Sequence, residues 1–122
     1  MNGCTGLHYL RDGMKKIKFD RERLIAISDS IISHLSDLEK AIRTDADLDD
    51  RIRFNAAAMS IFQAINRSID LADELIVECK LKTPLSYKES FEIIASENIV
   101  DSKISKKMSE LIYFRNLISH EY

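Results

Sequence analysis

The chain has 122 residues, which is the size of one domain with its own core, although chains this short often gain from oligomerisation. Apolar residues make up 45% and charged residues 31%, which excludes a disordered chain, and no apolar run approaches the ~18 residues of a membrane helix. The net charge of −2 excludes a protein that coats nucleic acid through bulk positive charge, so nucleic-acid chemistry requires a local site.

The beginning of the chain differs in composition from the rest. All three glycines lie within the first 13 residues, and this segment lacks the apolar stretch of a signal peptide. We interpret residues 1–18 as a leader, and a mobile arm is one form that it could take. We expect a cytoplasmic protein without membrane association. From residue 14 onward Pro84 is the only proline and strand-like alternation is absent, which predicts an all-α domain.

The first predicted helix begins near Phe19 and Asp20 and ends near Ile42. Its apolar residues follow one stripe with steps of three and four: Leu24, Ile27, Ile31, Leu35, Leu38 and Ile42. The acidic residues 45–50 come next, without the glycine and the terminal glutamate of an EF-hand loop. This pattern favours a turn and the start of a helix over a cation site, and we expect neither a metal nor a cofactor.

The second predicted helix runs from Leu48 to about Cys79, which is long for a globular domain. Its apolar residues cover a wide arc: Ile52, Phe54, Ala56, Ala58, Met59, Ile61, Ile65, Ile69, Ala72, Leu75 and Ile76. A helix that is apolar over so wide an arc is buried on two sides. One side fits the bundle core, and the other fits either a further helix of the bundle or a partner subunit. Because so small a domain gains from association, we expect a homodimer.

Two further helices complete the domain. Ser86 and Glu89 have the spacing of a capping box and open a short helix that ends near Glu97, with Asn98 as its left-handed terminator. Asp101 or Ser102 then caps the last helix. The predicted core stripe of this helix consists of Ile104, Met108, Leu111, Phe114 and Ile118. The elements together predict an antiparallel, four-helix-type bundle with one long central helix.

The last eight residues read RNLISHEY and place polar groups at fixed offsets after an apolar lead-in. Asn116 and His120 share one helix face as an i, i+4 pair, with Tyr113 beside them. In a regular helix Arg115 and His120 lie about 140° apart, so one protomer brings them together poorly. Either the helix ends between them, or the two groups converge across the two-fold axis of a dimer.

These residue types suit the cleavage of RNA without a metal ion. Arg115 carries a permanent charge, and its guanidinium can donate two parallel hydrogen bonds to phosphate oxygens. His120 can take or give a proton near neutral pH. Asn116 can orient the imidazole or donate to phosphate. In this chemistry the 2′-hydroxyl attacks the adjacent phosphorus, a base removes its proton and cations stabilise the transition state. A capped, solvated helix end is the alternative, but it explains only the cations near the C-terminus.

The ending of the chain resembles the Arg-x4-His-x-Tyr motif of HEPN-domain ribonuclease toxins. Residues 108–114 resemble the apolar lead-in of this family, residues 84–91 its proline-serine-tyrosine segment, and residues 69–72 part of its long second helix. The resemblance covers about residues 19–122, which we therefore predict to be one HEPN domain. It is closest to the HepT-like branch, whose toxins are encoded beside a minimal nucleotidyltransferase (MNT) antitoxin.

The resemblance implies a homodimer with a composite ribonuclease cleft and an RNA substrate. Arg115 and His120 would be catalytic, with Asn116 in support. It also implies that Tyr122 is the residue to which the MNT-family nucleotidyltransferase attaches AMP. The homodimer and this partner can belong to a larger hetero-oligomer. A bulky anion next to Arg115 and His120 would fill the cleft and silence the toxin.

A second class of function fits the same residues. In this alternative the chain is a non-catalytic, HEPN-like helical dimer whose Arg115 and His120 bind a nucleotide, RNA or the nucleotidyltransferase partner. The two classes differ in whether RNA is cut and in whether His120 is needed for that reaction.

Overall fold

The computed structural model describes residues 20–121, without the side chain of residue 121. The predicted leader of residues 1–18 and the predicted modification site Tyr122 lie outside the described residues. The helices are α1 Arg21–Ala41, α2 Arg51–Glu78, α3 Tyr87–Ser96 and α4 Ser102–Glu121, with a 3₁₀ helix Asp45–Asp49 between α1 and α2. The described range contains no strand, so the predicted all-α fold with one long helix is confirmed. Within this range no helix has the length and apolarity that crossing a bilayer requires.

The helices begin where short polar side chains satisfy the first free backbone N–H groups. Asp20 accepts from the Arg23 N–H at 3.0 Å and opens α1. Asp101 accepts from the Lys103 N–H at 2.8 Å, which decides between the two predicted caps of α4. The long helix α2 starts three residues later than predicted because residues 45–49 form the separate 3₁₀ helix, and the Asp50 carboxylate then caps α2.

Two helices end in the same left-handed turn. Asn98, the predicted terminator of α3, has a φ of 61°, and the next N–H, that of Ile99, reaches back to the Ile94 carbonyl at 2.9 Å. Lys80 does the same after α2, with a φ of 55°, and the Leu81 N–H donates to the Ile76 carbonyl at 2.9 Å. These bonds satisfy carbonyls that the ends of the helices leave open, and they turn the chain towards the next element.

The core lies between the C-terminal half of α2, the short helix α3 and α4. Its buried residues are Ile65, Ile69, Ala72, Ile76, Phe91, Ile93, Ile94 and Ile112. Helix α1 packs along α2 and contributes Ile27 to the buried set. Arg53 on α2 joins the two helices at their other end, because its Nη1 donates to the Ala41 carbonyl at the end of α1 at 3.1 Å.

The face of α4 that enters the core differs from the predicted stripe. Ile112 and Ile118 are buried together with the small Ser105, whereas Ile104, Leu111 and Phe114 are 41–49% exposed. The apolar spacing along α4 therefore marks two faces, one against α2 and α3 and one open to solvent. A single stripe could not distinguish them, because both faces repeat with steps of three and four.

The wide apolar arc of α2 divides in the same way. Its C-terminal half supplies much of the core, whereas Ile52, Phe54 and Met59 in its N-terminal half are 41–82% exposed. A single chain therefore buries one of the two sides of α2 that its wide apolar arc predicted to be buried. The described part of the chain contains no element that covers the other side.

Glu89 fastens the start of α3 to the preceding turn. The Glu89 N–H donates to Ser86 Oγ at 3.1 Å, which is one half of the predicted capping box. Glu89 Oε1 accepts from the Leu85 N–H at 2.5 Å and not from the Ser86 N–H that the box would use. The Lys82 ammonium lies 3.1 Å from Oε2. The Leu85 N–H first, and Lys82 second, hold the pKa of Glu89 below its ordinary value.

The acid dependence of stability follows from that lowered pKa. Because the folded chain binds this proton more weakly than the unfolded chain, the contribution of Glu89 is present above the unfolded carboxyl's pKa and is lost as pH falls through the lower folded value. We expect Glu89→Gln to lower Tm near pH 7, with the gap to wild type closing as pH falls through the lowered pKa of Glu89. Glu92→Gln, on the exposed side of the same helix, is the control. A gap that stays constant across this pH range would contradict the prediction.

Candidate functional site

Arg115 is half-buried on α4 and is held by two amide oxygens. Its Nε donates to Asn66 Oδ1 on α2 at 2.7 Å, and its Nη1 donates to Asn116 Oδ1 at 2.9 Å. Neither acceptor carries a charge, so these bonds orient the guanidinium without neutralising it. Three of its five N–H donors have no acceptor within residues 20–120 and remain for a ligand.

The same guanidinium lies over two aromatic rings. The Arg115 Cζ atom lies 5.1 Å from the ring centroid of Phe62 on α2 and 4.9 Å from that of Tyr87 at the start of α3. Both distances are within the ~6 Å range of a cation–π contact. The rings limit rotation of the guanidinium plane, so its open N–H groups keep one direction.

Arg115 is half-buried, and its environment differs from that of the three arginines that form ion pairs in the described part of the chain. Arg23, Arg53 and Arg67 each lie within 4 Å of a carboxylate oxygen, at distances of 2.6, 3.9 and 2.8 Å. Arg115 has no such carboxylate among the described residues. An anion that approaches Arg115 therefore does not have to displace an internal carboxylate.

His120 and Asn116 are exposed, as is Tyr113, so the polar face predicted for α4 lies at the surface. Helix α4 runs without a break through Glu121, which shows that the helix does not end between Arg115 and His120. The two side chains are thus about 140° apart around one regular helix. Of the two arrangements that the sequence left open, convergence across a two-fold axis is the one that stays as a prediction.

A mixed polar and apolar cavity of about 500 Å³ lies next to Arg115. Its lining comes from α2, from the turn before α3, from α3 and from α4: Asp73, Pro84, Leu85, Ser86, Tyr87, Lys88, Ser90, Ile112 and Asn116. Tyr87 and Asn116 therefore contact both the Arg115 guanidinium and this cavity. The volume is within the roughly 300–1,000 Å³ of small-molecule sites.

A second, larger groove of about 800 Å³ is apolar. It lies between the end of α1, the N-terminal half of α2 and the end of α4, and is lined mainly by Leu38, Ile42, Leu48, Phe54, Ala57, Ala58, Ile61, Phe114, Leu117 and Ile118. Arg51, Asn55 and Glu39 supply its polar edge. We call this surface the apolar groove. It shares α4 with Arg115 and His120.

Sequence reasoning missed the residues that hold Arg115 in place. Asn66 carries no sequence signal of its own, although it is a polar residue in a largely apolar stretch of α2. Tyr87 belongs to the capping-box segment and to the family-like residues 84–91, neither of which predicts its contact with Arg115. Phe62 and Asn66 are four apart and therefore share one face of α2. That spacing was the available signal, but nothing local shows that this face meets a residue 49 positions further on.

Two other charged residues of the described chain have structural roles. The Asp50 carboxylate accepts from the Ile52 and Arg53 N–H groups, so the acidic run does serve a turn and a helix start. Arg67 pairs with Asp70 on the surface of α2 at 2.8 Å. Among the side chains of residues 20–120 no group of three or more His, Cys, Asp or Glu residues is placed to hold a metal ion.

Comparison with known proteins gives one result. The family model described as Ribonuclease HepT-like matches residues 27–122, which is most of the chain and includes α2, α3, α4 and the C-terminal motif. No curated protein and no solved structure is significantly similar to the chain.

Proposed function

The chain belongs to the HepT-like ribonuclease family of HEPN domains, and from this premise we propose that it is the toxin of a HEPN/MNT toxin–antitoxin system. In this proposal it is an endoribonuclease that cleaves RNA in the cytoplasm without a metal ion. Arg115 and His120 are catalytic, and Asn116 supports them. The site is composite and forms when two copies of the chain associate.

The environment of Arg115 carries the proposal. Arg23 and Arg67 contribute to the fold through ion pairs with carboxylates. Arg115 is instead oriented by two neutral amides and two aromatic rings, and three of its N–H donors have no acceptor within residues 20–120. That arrangement suits the bidentate binding of a phosphate group whose negative charge increases during reaction.

The proposed reaction divides its tasks between these side chains. His120 removes the proton of a ribose 2′-hydroxyl, whose oxygen forms a bond to the adjacent phosphorus while the bond from phosphorus to the 5′-oxygen breaks. The products are a 2′,3′-cyclic phosphate and a 5′-hydroxyl, whose proton comes from water, while the protonated His120 returns its proton to the solvent. Arg115 stabilises the charge on the phosphorane-like transition state, and the Asn116 NH₂ group is available to donate to a phosphate oxygen. DNA lacks the attacking hydroxyl and would not be cut.

The apolar groove supports the association that this site needs. Phe114 and Leu117 are 47% and 46% exposed, and they lie on the helix that carries Arg115 and His120. Burying this groove against a second copy of α4 would cover apolar surface and bring the polar faces of two C-terminal helices towards one cleft. Two guanidinium groups and two imidazoles would then face one substrate.

Regulation by a partner enzyme is part of the same proposal. We infer that an MNT-family nucleotidyltransferase attaches AMP to Tyr122, which follows His120 by two residues. The added phosphate would pair with the cations that otherwise bind the substrate phosphate, and the nucleoside would fill the cleft. Toxin dimer and antitoxin would associate as a larger hetero-oligomer while this modification takes place.

Purified protein made without the nucleotidyltransferase tests the enzymatic function. We expect it to cut single-stranded RNA in the presence of EDTA and to leave 2′,3′-cyclic phosphate ends, which mass spectrometry of the products identifies. The same oligonucleotide made as DNA is the control and should stay intact. Folded wild-type protein that binds RNA without cutting it, at several salt concentrations, would support the non-catalytic module instead.

A further inference from the structure

The cavity beside Arg115 has no role in the proposed phosphate chemistry, yet it continues directly from that site. Asn66, which holds Arg115, and Asp73, which lines the cavity, lie seven residues apart on one face of α2. Seven residues correspond to about 10 Å along the helix axis. A ligand whose phosphate meets Arg115 can therefore extend along α2 towards Asp73.

Asp73 is the charged residue that α2 contributes to this cavity, and a hydrogen bond fixes one of its carboxylate oxygens. Ser90 on α3 is 1% exposed, and its hydroxyl donates to Asp73 Oδ1 at 2.7 Å. The hydroxyl thereby holds the carboxylate in one orientation. The second oxygen, Oδ2, has no hydrogen-bond partner and no cation within 4 Å in the described part of the chain. The cavity thus contains an oriented acceptor that the fold itself does not use.

We propose that this cavity is a base-binding pocket that selects guanine next to the cleaved phosphate, with Asp73 as the residue that determines specificity. The inference rests on the proposed RNA cleavage, because it identifies the nucleotide beside the reacting group. Guanine presents two adjacent N–H donors, at N1 and N2, on its Watson–Crick edge. A carboxylate accepts from both at once, and single-stranded RNA exposes this edge for recognition.

The other bases fit the same acceptor less well. Adenine and cytosine each offer one amino group beside a ring nitrogen that is itself an acceptor, so the second carboxylate oxygen would face a lone pair. Uracil has its single N–H between two carbonyl oxygens, which the Asp73 charge repels. A phosphate group in this position is disfavoured for the same reason, since it would meet a carboxylate that no described cation neutralises.

The remaining lining complements a nucleotide. Tyr87 offers aromatic surface to the cavity while it contacts the Arg115 guanidinium, and bases in single-stranded RNA stack on such rings. Lys88 lies at the exposed edge of the cavity and provides a cation for the phosphate backbone. Ile112 closes the apolar side.

Cleavage of a random-sequence RNA pool, read by sequencing of the product ends, tests the assignment. We expect wild-type protein to cut next to guanine in preference to the other bases. Asp73→Asn replaces one carboxylate oxygen by an NH₂ donor at constant shape and should lower this preference roughly 10- to 100-fold. Asp70→Asn is the matched control, because Asp70 is one turn away on the same helix, pairs with Arg67 on the surface and does not line the cavity. It should keep the preference.

A binding measurement separates this inference from the proposed function. In NMR titrations of wild-type protein with GMP, AMP, CMP and UMP, we expect the tightest binding for GMP, with shifts at Asp73 and Ser90 that Asp73→Asn removes. Cleavage without guanine preference, or a preference that survives in Asp73→Asn, overturns the pocket but leaves the ribonuclease in place. If wild type cuts no RNA, or if Asp73→Asn does not fold, the GMP titration decides: binding with no preference for GMP overturns the inference.

Discussion

Replacing Arg115 by lysine is expected to lower the RNA cleavage rate by about 10²- to 10³-fold, although the positive charge is kept. An ammonium group cannot donate to Asn66 and Asn116 from the fixed fork of a guanidinium. It also loses the planar contact with the rings of Phe62 and Tyr87. The charge would then move freely at the site, and its stabilisation of the transition state would fall.

Single-turnover cleavage with protein in excess measures this loss without a contribution from product release. Arg67→Lys on α2 is the matched control, since Arg67 makes a surface ion pair with Asp70 and should tolerate the change. Circular dichroism and Tm show whether each variant keeps the fold. An Arg115→Lys protein that cuts at the wild-type rate would remove Arg115 from the proposed mechanism.

Two further substitutions, at His120 and at Asn66, show how the loss of cleavage rate divides between catalysis and the positioning of Arg115. His120→Ala, at an exposed position, should leave the fold intact and lower the rate by about 10²- to 10⁴-fold, as expected for loss of a general base. Asn66→Ala keeps the guanidinium but removes the acceptor that orients its Nε, so a smaller loss, up to about 10²-fold, is expected. The order of the three losses distinguishes a positioning residue from the catalytic ones.

The structure shows which parts of the fold local sequence signals can determine. Asp20, Ser86 and Asn98 were assigned to helix boundaries, and each is found there, because caps and left-handed turns depend on residues at most a few positions away. The late start of α2 has an equally local cause, because the Asp50 carboxylate accepts from the Ile52 and Arg53 N–H groups and so caps the helix at this position. The predicted domain boundary at residue 19 remains a prediction.

It was harder to predict which face of each helix packs against its neighbours. The predicted stripe of α4 contained the buried Ile118 but also the exposed Leu111 and Phe114. Periodicity reports that a helix has an apolar face, but it does not report which of two such faces packs inside one chain. Of the predicted stripe, Phe114 and Ile118 line the apolar groove, whereas Leu111 is exposed outside it.

The candidate site shows the same limit. Residue types and spacing sufficed to single out Arg115, Asn116 and His120, since their chemistry is a property of the side chains. The contacts that give Arg115 its direction come from Asn66, Phe62 and Tyr87, which precede it by 28 to 53 positions in the sequence. Such contacts depend on how α2, α3 and α4 pack, so no short motif contains them.

Leu117→Asp is expected to abolish cleavage as completely as the loss of Arg115, although Leu117 has no part in the chemistry. Leu117 is 46% exposed in the apolar groove, so a carboxylate there is solvated in one isolated chain but is unpaired and buried in the proposed dimer. The substitution should therefore dissociate the dimer and leave the helices folded. Ile25→Asp, at an exposed position on α1 outside the groove, is the control.

Analytical ultracentrifugation and cleavage assays together read out this prediction. We expect wild type and Ile25→Asp to sediment as dimers and to cut RNA, and Leu117→Asp to sediment as an inactive, folded monomer. An active Leu117→Asp monomer would show that one chain forms the whole site. A dimeric but inactive Leu117→Asp protein would place the subunit interface elsewhere.

Mixing two inactive variants tests whether each protomer contributes to one cleft. Arg115→Ala and His120→Ala each lack one essential group, and α4 keeps these two groups about 140° apart within one chain. If the guanidinium of one protomer acts with the imidazole of its partner, heterodimers made by co-expression contain one intact pair. We expect such heterodimers to recover a substantial part of the wild-type rate, whereas each variant alone stays inactive. Adding Leu117→Asp to both chains should abolish the recovery, because the shared cleft depends on the apolar groove that holds the two helices together.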